Sequence, residues 1–107
     1  MLIKIATDFS ENPGGRYIEE GDFSGELFRD TVLYPKYKQA LEKGETLTID
    51  FDGCFGFGTS FLEEAFGGMV RKYQVKNQLN HIIIISTEDE TIPDLIRKYV
   101  ISEEKKL

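Results

Sequence analysis

With 107 residues, 40% of them apolar and 30% charged, the chain has the size and balance of one soluble globular domain whose core needs no metal or disulfide. A net charge of −6 argues against nucleic acid as a partner, because binding phosphates needs a basic surface that releases counterions. The single cysteine, Cys54, excludes an internal disulfide and fits a reducing cytosol, and the N-terminus MLIKIATDFSEN reads as neither a signal peptide nor a membrane span.

Leu2–Ala6 alternates Leu2 and Lys4 with Ile3 and Ile5, which predicts an edge or near-edge strand. Ser10–Gly15 is a turn cluster, and Arg16–Ile18 reads as a second short strand closing a hairpin. Ser24 is an N-cap for a helix with Leu27, Phe28, Thr31 and Val32 on one face. Pro35 is expected to end or kink that helix at Tyr34. A further helical stretch through Tyr37, Ala40 and Leu41 stops at Gly44. Thr46–Phe51 alternates as a strand. Ser60–Tyr73 is the best helix of the chain: Ser60 and Glu63 match a capping box, and Leu62, Ala65, Phe66, Met69 and Tyr73 share one face. His81–Ser86 reads as a strand whose unbroken isoleucines imply burial on both sides. Pro93 opens a last helix carrying Leu95, Ile96 and Tyr99, and SEEKKL is a solvated tail. Strands separated by helices imply a single α/β domain over residues 1–107, with a largely parallel sheet in a sandwich.

Chemistry concentrates in Thr46–Gly68, TLTIDFDGCFGFGTSFLEEAFGG, a strand, a glycine-rich loop and the start of a helix. Backbone N–H groups and the helix dipole converge at such a join and suit an anion or a phosphorylated hydroxyl. Gly53 to Ser60 is one residue from a Walker A loop, with Thr59 standing where the phosphate-reaching lysine belongs. A small-molecule, nucleotide or anion site would use Asp50, Asp52, Gly53, Gly56 and Gly58 around this loop. IDFDGC also resembles the D-x-D-G signature of haloacid-dehalogenase-type phosphotransferases, with Asp50 as nucleophile and Asp52 as acid/base. That reading needs a lysine next to Pro93–Val100 and further carboxylates for magnesium. No residue set calls for a metal or another cofactor.

Laid without a gap on DFDGCFGFGTSFL, the stretch D-L-S-G-V-x-F-M-D-S-S-G-L of anti-anti-sigma factors matches Asp50, Gly53, an apolar position at Phe57, the hydroxyl pair Thr59–Ser60 and Leu62. The segment thus resembles the STAS domains. A closer resemblance, to a bacterial STAS-like family of unknown function, rests on GGRYIEEGDFSGELFRDTVLYP at Gly14–Pro35 and SFLEEAFGGMVRKY at Ser60–Tyr73. The resemblance implies a STAS-like sandwich, with a mixed, mostly parallel sheet of four to five strands and helices mainly on one face. It implies a non-catalytic regulatory module that works by protein–protein switching in the cytoplasm. It makes Thr59 the kinase target and a histidine-kinase-like ATPase the expected partner. The chain departs from the STAS pattern at Gly58, where an acidic residue stands, and at Phe61, where a glycine stands.

Each residue also has a plainer role. Ser60 serves as an N-cap worth about 1 kcal/mol. Arg16 and Arg29 bind an anion or tie down loops by pairing with acids such as Glu19, Glu20 or Asp22. Gly67 and Gly68 each cost about 1 kcal/mol in a helix interior relative to alanine. They project mainly away from the face of Leu62, Phe66 and Tyr73. Close packing against a neighbouring element of the chain is one account, and a second subunit or a partner helix meeting Glu64, Gly67, Gly68 and Arg71 is the expected one. His81 and Cys54 read as structural.

Overall fold

The computed structural model describes all 107 residues. Three parallel strands form one sheet in the order β1–β2–β3: β1 is Leu2–Lys4, β2 is Leu47–Asp50 and β3 is Ile82–Ile85. The register sets Ile3 beside Ile49 and Ile49 beside Ile84. Four helices complete the fold: α1 (Ile5–Asp8), α2 (residues 25–42), α3 (residues 59–73) and α4 (Ile92–Glu104). No helix is long and apolar enough to cross a membrane.

The expected four to five strands reduce to three. Arg16–Ile18 does not pair, because side chains take the donors a ladder would need: the Arg16 N–H donates to Glu20 (2.7 Å) and the Ile18 N–H to Glu26 (3.0 Å). Ile18–Glu20 coils into a 3₁₀ turn instead. β1 stops at Lys4, whose N–H donates to Asp8 (2.8 Å) and closes the single turn of α1.

Alternation along the strands decides which face is covered. Ile3, Leu47 and Ile49 are fully buried, whereas Leu2, Ile83 and Ile85 on the opposite face are exposed. The reading of β3 as buried on both sides is therefore corrected. Its isoleucine run serves one covered face and one open one, a distinction that an uninterrupted apolar run cannot encode.

Pro35 does not break α2. Residues Arg29–Leu33 widen into a π turn, in which the Tyr34 N–H reaches the Arg29 carbonyl, and the helix resumes over Tyr34–Glu42. Such a bulge makes room where the proline ring would crowd the carbonyl four residues back. Helix α3 uses the same device at Glu63–Gly67, with the Gly68 N–H donating to the Glu63 carbonyl. The two π turns pack against each other. Ser24 caps α2 as expected, its hydroxyl accepting the Leu27 N–H at 3.1 Å.

Buried apolar residues form one continuous core, in which Phe9, Phe28, Phe61, Phe57, Phe51 and Phe66 make a chain of ring contacts. Substituting Phe61 by leucine removes the ring that touches Phe9, Phe28 and Phe57, so a loss of about 1–3 kcal/mol is expected in a urea titration.

Candidate functional site

At the C-terminal end of β2 the chain turns sharply. The Asp52 N–H donates to the Asp50 carboxylate (2.9 Å), and Gly53 follows at φ +91°, a backbone that glycine tolerates. Two other loops then stitch this one in place. The Asp52 carboxylate accepts the Thr87 hydroxyl (2.6 Å) and the Glu88 N–H (3.0 Å), while the Gly53 N–H donates to Glu88 (2.6 Å). From the other side, the Phe55 N–H donates to the Glu11 carbonyl at 2.8 Å. The hydrogen bond from Thr87, followed by that from Glu88, holds the Asp52 carboxyl below its ordinary range. Phe57 anchors the loop against Phe51 (5.0 Å between ring centres) and Phe61 (5.7 Å), and leaves Phe55 84% exposed at its tip.

This arrangement bears on the anion and phosphotransfer readings. The Gly53 donor of the nest is taken by the chain's own Glu88, and carboxylates outnumber the single nearby cation, Lys4, which lies opposite Asp50 in the sheet. Asp52 is held by hydrogen bonds, and Lys98 lines a separate groove with Asp94, Arg97 and Ile101. No group of three or more histidine, cysteine, aspartate or glutamate side chains is placed to hold a metal ion. Gly56 and Gly58 are exposed, with open space where a Cβ would stand.

Thr59 and Ser60 are both exposed in the first turn of α3. The capping box is corrected: Gly58 is the N-cap, no side chain caps the turn, and Glu63 is drawn elsewhere. Its carboxylate takes the Arg16 guanidinium at 2.5 Å and the Arg71 guanidinium at 3.1 Å, charge-assisted bonds that outcompete a backbone N–H.

Those bonds belong to an ionic hub between the π turns. Arg29 is buried; its guanidinium holds Glu64 at 2.5 Å and Asp30 at 2.8 Å. Arg16 reaches Glu64 at 3.2 Å, and Arg71 reaches Glu103 of α4 at 2.6 Å. Asp30 also accepts from Lys72 (2.9 Å) and from the Tyr73 hydroxyl (2.8 Å), whose ring stacks on Tyr34 at 3.7 Å. Arg16 and Arg29 therefore do tie the chain together, but through α3 and not through Glu19, Glu20 or Asp22.

The hub also accounts for the mid-helix glycines. A Cβ on Gly68 would stand 2.8 Å from Arg29 Nη1 and 2.9 Å from Glu64 Oε2, and one on Gly67 would stand 2.7 Å from Glu63 Oε2. What approaches this backbone is the chain's own side chains. Glu64, Gly67 and Gly68 are buried by them, and of the four expected interface residues only Arg71 is substantially exposed.

Asp30, Glu103 and Glu88 carry much of this chemistry without having stood out in the sequence. Apart from Arg29 next to Asp30 and Lys106 near Glu103, the partners of these carboxylates lie 32 to 43 residues away, beyond any local pattern. Phe55 did carry a signal: a large ring flanked by glycines in a loop has little to bury it.

The model of a family described as the STAS-like domain of unknown function (DUF4325) matches residues 24–91. The chain belongs to that family. No curated protein and no solved structure matches it. The matched span of this STAS-like domain runs from the Ser24 cap to the start of α4 and contains both π turns and the stitched loop.

Alanine at Gly68 should gain about 1 kcal/mol of helix propensity. It also displaces a buried ion pair, at a cost of about 3–5 kcal/mol, so the urea midpoint is expected to fall. The hub further sets an acid limit. Burial would raise the Asp30 and Glu63 carboxyls, but hydrogen bonds from Arg29, Lys72 and Tyr73, and from Arg71 and Arg16, hold both below their ordinary range. Both bind protons less readily folded than unfolded, so their contribution is complete above the unfolded carboxylate range, about pH 4, and drains away below it. Urea midpoints should stay level between about pH 8 and 5 and then drop, with a shallower drop in Asp30→Asn. Burial, then the charges of Glu11, Glu88 and Asp50, pushes the Cys54 thiol up to about 11. Fewer thiolates, partly offset by the greater nucleophilicity of each, should make its reaction with a disulfide reagent at neutral pH about tenfold slower than that of an unperturbed thiol.

Proposed function

We propose that this STAS-like domain is a non-catalytic regulatory module that binds a protein partner through the β2–α3 loop and is switched by phosphorylation in the first turn of α3. The observation that carries this reading is the combination of a fixed loop with an 84% exposed Phe55 at its tip. An aromatic side chain carried on a backbone already held in place spares the cost of ordering the loop on binding, which is the character of an interface anchor.

Thr59 and Ser60 follow that anchor on the same loop-to-helix segment and are exposed to solvent. A phosphate there adds close to two negative charges and meets N–H groups of an uncapped helix end, so it has a local hold as well as a large effect on charge. Thr59 is the first choice because it matches the switch position of the STAS domains. The partner in view is a histidine-kinase-like ATPase, which the same resemblance brings with it.

The test is co-expression with a histidine-kinase-like ATPase encoded beside this chain, followed by intact-mass analysis and a binding assay. Addition of one phosphate, lost in Thr59→Ala, with at least a tenfold change in affinity for the ATPase is the expected result. A chain that gains no phosphate and forms no complex overturns the reading.

A further inference from the structure

The charge of −6 is unevenly placed. Residues 44–70 and 77–96 contain no lysine or arginine, and they supply both walls of a cleft at the ends of β2 and β3. Asp50, Asp52, Glu88, Asp89 and Glu90 lie in these two segments, and Glu11 faces them from the loop that receives the Phe55 N–H. None of the ion pairs of the structure involves any of these six carboxylates. The hub is the opposite case: it gathers Arg16, Arg29, Arg71 and Lys72 among Asp30, Glu63, Glu64 and Glu103. The cleft has a volume of 330 Å³ and is lined by Phe51, Phe55, Phe57 and Ile92, with Asp52 and Glu88 among its polar groups.

Apolar rings set among carboxylates that no salt bridge neutralises fit one kind of occupant. A lysine or arginine side chain can lay its aliphatic stem or guanidinium plane on a phenylalanine face while its charge answers the carboxylates. A second copy meeting cleft to cleft about a two-fold axis brings the same carboxylates to the same place, and an anion meets the same repulsion. We infer that the partner enters this cleft with a basic segment, one of whose cationic side chains lies over Phe55. The inference rests on the protein-binding reading above and adds to it the chemistry of the partner surface.

Two measurements test it. In the first, the ¹⁵N-labelled chain is titrated by NMR with acetyl-Arg-Leu-Arg-Leu-Arg-amide and, separately, with the peptide in which glutamate replaces each arginine. Saturable shifts confined to residues 11, 52–57 and 86–90 are expected with the arginine peptide alone. Binding should weaken about tenfold in Phe55→Ala and in the triple variant Glu11→Gln, Glu88→Gln, Glu90→Gln. Glutamine at position 88 keeps an acceptor for the Gly53 N–H, so the loop stays stitched. Shifts spread over the other acidic surfaces, binding unchanged in Phe55→Ala, or no binding at all would each overturn the inference. In the second, the complex with the histidine-kinase-like ATPase is measured at low and high salt. A complex weakened by salt and by both variants supports the inference. One that forms but is indifferent to salt and to both variants sinks the basic segment while leaving the module intact. Peptide binding without any such complex sinks the module reading and keeps the cleft's preference for cations.

Discussion

The buried pair between Arg29 and Glu64 is the constraint from which most of this molecule follows. Two charges cannot leave water cheaply unless their remaining hydrogen-bonding capacity is met. Asp30 answers the rest of the Arg29 fork, and Arg16 and Arg71 answer the other oxygen of Glu64. The pair also needs space, which Gly68 supplies where any larger residue would intrude. Both helices that carry the pair widen into π turns at the point of contact, and their side chains meet there. A helix interior that tolerates glycines, a proline and a wide turn is costly in isolation, and the ionic contact is what those concessions serve.

Helix α3 links the hub to the exposed loop. Its first turn holds Thr59 and Ser60, and one turn later come Glu63 and Glu64. Five arginine contacts on two adjacent glutamates fix how the helix is rotated about its axis. That rotation sends Phe61 and Leu62 inward and leaves the two hydroxyls outward. The hydrogen bonds among Asp50, Asp52, Thr87 and Glu88 fix the other end of the loop. Phe55 thus protrudes from a segment held at both ends.

What was legible in the sequence was periodic or local. The alternation of Leu47, Ile49 and Phe51, the face formed by Leu62, Phe66 and Met69, and the Ser24 cap all took the expected form. Local signals failed where a distant group competed for the same atoms. Ser60 and Glu63 have capping-box spacing, yet arginines from two other segments claimed the glutamate. Arg16–Ile18 has the look of a strand, yet Glu20 and Glu26 took its donors. Pro35 marks a helix end in any local scheme, and only the π turn before it explains why the helix continues. The glycine pair signalled a close approach and could not say by what.

The uncovered side of the sheet has a consequence for how copies of the chain tolerate one another. β3 is an outer strand of four isoleucines, with neither a charge nor a proline inside it to discourage a stranger's backbone, and Ile83 and Ile85 lie bare. Strands of this kind are the usual starting points of aggregation. The safeguard is colloidal and global: at −6 the molecules repel one another before their edges can align, and added salt shortens that reach. The same excess of acid that colours one end of the molecule thereby keeps its least protected edge apart from its neighbours.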